Sequence, residues 1–460
     1  MTDDAKFNRM INEPVEKLIG KLAVPTVLIM LVSAMYNSAD MYFVGSLGTA
    51  ETGAIGVNLS LMAIIQATGF FFGQGSGNYV SRALGAKRRE DAEKMASTGF
   101  FLAFAFGCVI AVFGTLFIEP LALALGSTET ILPHAVRYLR YILLAAPFMV
   151  SSIALNNLLR FQGSAIFSMI GMVSGAVLNV ALDPLFIFVF DLGVAGAAMA
   201  TAISQVVGFA LLLAGCFRGG NVRISPKNFS PSLARCIDIA RGGTPSLLRQ
   251  AMMSVSVIVL NHSAKGIGGT KEFVDAVIAA VSVVNRVVML SGSVMLGLGQ
   301  GFQPVCGFNY GAGRYDRVRR GFRFCVATSG ALLIIVAACC YVFAPDIVRF
   351  FRNDADVIAI GQYALRAQAF VMPLMSWIVL CNTTLQTTGQ ALPASILSFA
   401  RQGFFQIPLL LILVSLLGVR GIQLATPIAD FCTFLLSVPF GVAAWRRMKV
   451  NAPSIDTPTY

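Results

Sequence analysis

Charge is what this 460-residue chain has least of: Asp, Glu, Lys and Arg make up 12% of it, about half of what a soluble domain carries. Acidic residues are the scarcer sign, 22 against 34 basic ones, and there are only two His and two Trp. So little charge cannot coat a water-soluble fold. Intrinsic disorder, a disulfide-stapled secreted module and an ordinary soluble enzyme are excluded. The nine Cys lie in apolar runs without metal-ligand spacing, so they read as small buried hydrophobes and no cofactor is expected. Cys339 and Cys340 are adjacent in mid-helix and face different directions. The Gly-rich stretch GQGSGN at 73–78 lacks the Lys-Ser/Thr end of a phosphate-binding loop. No nucleophile–base set is visible either, which argues against an enzyme and against an ATP-driven pump. His134 and His262 each fall near a span end, where a solvated or hydrogen-bonded imidazole is expected. The start, MTDDAKFNRMINEPVEKLIGKL, is acidic and then mixed, with no short cleavable apolar region after it. The first span itself is expected to direct insertion.

What the chain has is apolar length. Hydrophobic residues are 56% of it, and twelve spans of about 20 residues would use roughly half the chain. A barrel would instead show short alternating segments. Apolar runs are read at 21–45, 54–80, 96–118, 134–158, 165–190, 194–217, 238–262, 273–302, 322–344, 357–383, 392–416 and 420–444. The expected fold is an all-α polytopic membrane protein. It has twelve transmembrane helices arranged as two pseudo-symmetric six-helix bundles around a central cleft. The longest polar interruption, 218–236, is rich in Gly, Pro, Ser and Arg. It divides an N-terminal lobe (1–217) from a C-terminal lobe (237–446), and a tail (447–460) follows.

Net charge is +12, which in a soluble protein would suggest nucleic acid. Its placement points elsewhere. Arg82, Lys87, Arg88, Arg89 and Lys94 form one group, and Arg218, Arg223, Lys227, Arg235 and Arg241 a second. Arg314, Arg317, Arg319, Arg320 and Arg323 form a third, and Arg446, Arg447 and Lys449 close the chain. Each group lies an even number of spans from the start, the positive-inside pattern with both termini cytoplasmic. A bacterial plasma membrane is the expected location, and no nucleic-acid partner is expected.

The two halves repeat. Gln74 in FFGQGSGNYVSRALGAKRREDAEK matches Gln300 in LGQGFQPVCGFNYGAGRYDRVRR, an offset of 226. Asn156 and Gly163 meet Asn382 and Gly389 at the same offset, and LGVAGAAMATAISQ at 192–205 meets LGVRGIQLATPIAD at 417–430 at 225. Six spans per half is an even number, so the repeats are parallel, related by an axis along the membrane normal. Two such bundles around a cleft imply alternating access, a transporter and not a one-piece pore.

Buried charge is expensive in lipid, at least about 2.5–3.5 kcal/mol each, and only Asp40, Asp183 and Asp430 fall well inside apolar runs. Asp40 follows Tyr36 and Asn37 by one turn. Asn179 lies four residues before Asp183, which puts both on one helical face. Pro184 follows, and Pro25 interrupts the first run. A proline frees a backbone carbonyl. A carboxylate beside such a carbonyl and an amide can cage Na+ at Asp40, Asn179 and Asp183. The same carboxylate, withdrawn from water, can instead carry H+. Both uses follow from the same residues.

These repeats, the Pro25 followed by YNSADMYFVG at 36–45, and LNVALDPLFIF at 178–188 resemble the multidrug and toxic compound extrusion (MATE) family, in particular its DinF-like and MepA-like bacterial branch. The resemblance covers essentially the whole chain. It implies a twelve-helix antiporter exporting drug-like, often cationic compounds in exchange for H+ or Na+. It also implies that Asp40, Tyr138, Asn179, Asp183 and Thr201 carry the coupling cation. The second half departs from the first: Leu260 stands opposite Asp40 and Leu409 opposite Asp183. Another branch of the family has acidic residues in spans 7 and 10, and here neither span has one in its core. Coupling is therefore expected in the N-terminal lobe.

Cleft candidates are Tyr36, Asn37, Gln74, Asn156, Asn157, Gln205, Met289 and Gln300. Structural or gating candidates are Pro25, Pro184, Arg286, Arg401 and Asp430, with Arg286 and Arg401 read as the lone cations of C-half spans, pairing with Asp275 or Asp430 or snorkelling. Phe70, Phe71, Phe72, Met149, Met172, Met252, Met253 and Met295 could form a soft wall, although packing or lipid contact is the plainer reading of each. The competing function is a lipid-linked oligosaccharide flippase of the same wider superfamily. Such a protein wants more spans and a strongly cationic cleft for pyrophosphate. Small drug-like substrates, the bilayer and a monomeric state are the expected partners.

Overall fold

The computed structural model describes residues 3–45, 49–219, 222–267 and 270–450, with the side chains at 3–4, 34–42, 44–45, 49–50, 52, 219, 265, 271 and 449–450 left out of the description. The readings of Tyr36, Asn37 and Asp40, and of the tail beyond Val450, therefore fall outside the described residues. Among the described residues the chain is helical, without a strand. Apolar runs this long satisfy their backbone in lipid only as helices.

In the N-terminal half, α1 is Asp3–Asn12, α2 Val15–Gly45, α3 Thr49–Gly85, α4 Arg89–Leu116, α5 Ile118–Ala124, α6 Leu132–Phe161, α7 Ala165–Pro184 and α8 Gly193–Gly219. In the C-terminal half, α9 is Leu233–Lys265, α10 Lys271–Gly311, α11 Tyr315–Val342, α12 Ala344–Phe351, α13 Ala355–Val371, α14 Leu374–Thr387, α15 Ala391–Phe399, α16 Ile407–Leu417 and α17 Val419–Val450. Nine spans among the described residues are individually long and apolar enough to cross a bilayer. The bent pair α13 and α14, at 56°, makes a tenth. With α2 and α9, 31 and 33 residues long, the twelve expected spans are present. Several helices outrun their apolar stretches. Hydropathy stops at the first charges, whereas the hydrogen-bonded helix continues: α10 runs to Gly311.

The repeat is visible in the backbone. Left-handed residues occur in pairs at the repeat offset: Lys87 (φ 59°) with Gly313 (72°), Gly163 (77°) with Gly389 (83°), and Gly193 (54°) with Gly418 (57°). Each ends a helix or turns the chain into the next one, where glycine is the usual solution. The turn between repeat-related helices is braced by the repeat-related Asn in both halves, as acceptor in one and donor in the other. Ser168 donates to Asn156 Oδ1 (2.5 Å), and Asn382 donates to Ala394 O and Ser398 Oγ (2.9 Å each).

Two compact units result. The first comprises Met1–Asn12 and Val24–Leu247, the second Glu13–Ala23 and Leu248–Tyr460. The changeovers lie inside helices, one residue before Pro25 in α2 and two residues after Pro245 in α9. In the first unit α6 is the central helix: 78% of its apolar window is buried, against 22% in α4 and in α7. It packs on α3, α4 and α8. The outward face of α4 carries Phe106, Val109, Val112, Phe113 and Leu116, apolar and exposed as a lipid-facing helix should be. The polar segment after α8 is docked on this unit: Val222 donates its N–H to Gln162 (3.0 Å), Ser225 to Ser97 (3.2 Å) and Ser230 to Thr98 (3.3 Å). The core of the second unit is built from Leu260, Val277, Ala280, Val348, Leu365, Leu410 and Ala425. The short helix α12 contributes to it by burying Ala344 and Val348.

Candidate functional site

The α7 helix buries one stripe. Gly171, Gly175, Asn179 and Asp183 follow at intervals of four and are all buried, in a helix with most other side chains outside the core. The glycine end of the stripe makes the close approach. A Cβ on Gly175 would stand 3.2 Å from Ser204 O, and Gly208 of α8 passes within 3.3 Å of Gly171 O in the same sense. Small residues that let two spanning helices touch are the usual device in lipid. This contact brings the polar end of the stripe against α8.

Asn179 donates through Nδ2 to Thr201 Oγ1 (3.2 Å) and, at a longer 3.4 Å, to Asp183 Oδ1. The two donors of one amide thus link a carboxylate and a hydroxyl. The amide oxygen of Asn179 accepts no hydrogen bond among the described residues. Asn179 and Thr201 also line a cavity with Ser33, Ser152, Ser204 and Gln205, floored by Gly171, Gly175 and Gly208. It holds about 40 Å³, room for a few waters or a small hydrated cation. Asp183 is fully buried, and so is Tyr138 on α6, the helix packed against both α7 and α8.

The backbone departs from α-helix at this point. Pro184 withholds one N–H, and Leu185–Val189 continues as a π-helical turn in which Phe190 N–H reaches Leu185 O (3.0 Å). π-Turns inside helices are frequent at functional sites. The second unit also has a π-helical segment, at Ala400–Gln406, about three turns earlier in the repeat than Leu185–Val189, and it carries Arg401. Arg401 Nε donates to Asp430 Oδ1 (2.6 Å) and Gln368 Nε2 donates to Asp430 Oδ2 (2.9 Å). Of the two expected partners, Asp430 is the one found. Asp275 lies three helical turns from Arg286 on α10 and is exposed, beyond reach at 1.5 Å per residue.

Gln74 and Asn157, two of the residues read as cleft candidates, are both buried. Gln74 Nε2 and Arg160 Nη2 donate to Asn157 Oδ1 at 3.0 and 2.6 Å, a network that holds α3 to α6. Arg160, 2% exposed, was overlooked because it follows an apolar run and reads as a cytoplasmic end charge. Arg286 and Arg401 are not the lone cations of the C-half spans: Arg249 lies in mid-α9, and Arg366 of α13 donates to Tyr341 O (3.2 Å). Asn156 is engaged by Ser168 as described, Gln205 stands at the N-terminal-lobe cavity, Gln300 is half-buried, Arg286 is exposed and Met289 is 65% exposed. Pro25 is buried within α2.

Two repeated sets of six spans, with a polar pocket buried inside one of them, define a membrane transporter and not an enzyme. The MatE family model matches residues 25–185 and 245–412, one segment in each half, and the chain belongs to that family. It is 28% identical over 444 residues to the multidrug export protein MepA of Staphylococcus aureus (strain MSSA476), covering 96% of this chain and 97% of that one. Among solved structures, a MATE in the bent conformation superposes with a TM-score of 0.90 at 27% identity, covering 97% and 99% of the two chains. A MATE in the straight conformation gives 0.89 at 28% identity, covering 96% and 98%. Relatives that are export proteins do not favour the flippase reading.

Proposed function

We propose that this chain exports drug-like, often cationic amphipathic compounds by alternating access, in exchange for H+ or Na+, from a bacterial plasma membrane with both termini in the cytoplasm. Small-molecule cargo, lipid and no nucleic acid are its partners, and it acts as a monomer without a resident cofactor. The observation that carries the reading is the buried Asp183–Asn179–Thr201 cluster beside a water-sized cavity in the first unit. A carboxylate in lipid is retained where its charge changes or is shared with a cation. Asp183 accepts the proton or faces the Na+. Asn179 Oδ1 and Thr201 Oγ1 supply the neutral oxygens a hard cation prefers. Tyr138 closes the site from α6, and Asp40 on α2 is the second carboxylate.

The second unit has no equivalent among the described residues, since Arg401 neutralises in place the one carboxylate buried there, Asp430. Moving one charge through the membrane field supplies about 2.3 kcal/mol per 100 mV, enough for roughly 50-fold accumulation of cargo. Ethidium efflux from everted vesicles, with ΔpH and the Na+ gradient collapsed separately, tests the proposal in wild type and Asp183→Asn. One gradient should abolish efflux and the variant should lose it. Efflux that survives both collapses and the substitution would overturn the mechanism.

A further inference from the structure

We propose that the start of α11 binds an anionic glycerophospholipid, with its phosphate on Arg320 and Arg323 and one acyl chain lying in an alanine furrow that continues down the helix. The helix has two faces. Val318, Gly321, Phe322, Cys325, Ser329, Leu333, Ala337 and Cys340 are buried. Gly321 lets Val15 and Ile19 of α2 pack within 3.0–3.2 Å of where a Cβ would stand. The opposite face, Asp316, Arg320, Arg323, Ala327, Ala331, Ile334 and Ala338, is exposed at steps of three and four. It begins with Asp316, continues with the two guanidinium groups one and two turns on, and then runs on as apolar surface for about three turns. Alanine carries nothing beyond Cβ, so the stripe is a shallow furrow, with Phe324 at its mouth and Ile334 and Ile335 lower down.

At its head lies a shallow, open surface depression lined by Glu16, Arg320, Arg323 and Phe324. Its charge is unbalanced. Arg314, Arg317, Arg319, Arg320 and Arg323 fall within ten residues that hold one carboxylate, Asp316, and from α2 Glu16 pairs with Arg320 at 2.5 Å, which leaves positive charge in excess. Arg323 makes no ion pair among the described residues. The occupant therefore needs an anionic head joined to a long apolar body, at the depth where a spanning helix enters the bilayer. A phosphodiester on a diacylglycerol has that shape. Free phosphate would satisfy the arginines and leave the furrow bare.

The test is native mass spectrometry of the full chain released from nanodiscs containing equal phosphatidylglycerol and phosphatidylcholine. Wild type should retain phosphatidylglycerol in roughly tenfold preference. Arg320→Gln with Arg323→Gln should erase the preference, and Arg88→Gln with Arg89→Gln, an equal loss of charge at the repeat-related end of α4, should keep it. Ala331→Trp fills the furrow without touching a charge and should also lose the lipid. Glu16→Gln, which removes the competing carboxylate, should retain more. Equal losses in the two arginine pairs would reduce the effect to general surface charge and overturn the proposal. So would displacement of the lipid by millimolar inorganic phosphate or glycerol phosphate, or a lipid unaffected by Ala331→Trp.

Discussion

Arg401 and Asp430, 29 residues apart in sequence, stand 2.6 Å apart in the second unit, with Gln368 on the other carboxylate oxygen. Asp430 is fully buried and Arg401 mostly so. Removing one partner of a buried pair leaves the other charge uncompensated, which costs about 3 kcal/mol, whereas replacing both with apolar groups is close to neutral. Arg401→Met should therefore lower the unfolding temperature in detergent markedly, and Arg401→Met with Asp430→Leu should recover most of the loss. Additive losses would show that the two residues do not act as a pair.

Asn179 holds Asp183 and Thr201 with the two hydrogens of one amide. Thr201→Val keeps the volume and removes the hydroxyl, a change of about 1 kcal/mol in a single net hydrogen bond. The half-saturating coupling-ion concentration should rise about fivefold while the fold survives. Asn179→Leu removes both links and should raise it more. Measured in proteoliposomes, an unchanged ion dependence in both variants would dissociate this cluster from coupling.

Two glycines at repeat-related positions permit the tightest backbone approaches of their hairpins. A Cβ on Gly196 would lie 2.6 Å from Phe186 O, and one on Gly421 2.1 Å from Leu413 O. Backbone cannot step aside cheaply, so Gly421→Ala and Gly196→Ala should each cost about 1–3 kcal/mol, with Gly421→Ala the worse. Thermal unfolding that ranks them in the reverse order would count against this packing.

Glu16 lies in the first turn of α2, ahead of the apolar run. Its hydrogen bond from Arg320 holds the carboxyl below its ordinary value of 4.5. A depressed folded value means stability that is present above 4.5 and is lost as pH falls through the lower folded value. The pair is partly exposed, so the effect is small. The unfolding temperature of wild type should fall more steeply between about pH 5 and 3 than that of Glu16→Gln, and parallel curves would show that the pair contributes nothing.

The parts of this structure that sequence foretold are those written in local spacing. Asn179 and Asp183 share a face because they are four residues apart, and the repeat offset of 226 reappears in Lys87 and Gly313, Gly163 and Gly389. Arg401 was matched to Asp430 only as one of two candidates, and Gln368, 62 residues away, carries no local signal at all. The hydrogen bond between Gln74 and Asn157, 83 residues apart, has no local signal for the same reason: an amide in an apolar helix looks alike whatever it meets. The π-turns after Pro184 and at Arg401 are set by how the hydrogen-bond ladder is taken up against neighbouring helices, so periodicity gives no warning of them. Thr201 and Tyr138 entered through family resemblance and not through their spacing.

The changeovers beside Pro25 and Pro245 bear on how the gene could be cut. Neither compact unit is a contiguous stretch of chain: Glu13–Ala23 belongs with the C-terminal body, and Leu233–Leu247 with the N-terminal one. Severing the polypeptide in the polar segment near Ser225 would thus give two fragments, each carrying a helical piece of the other's core. Neither fragment should be well formed alone, and co-expression should restore both.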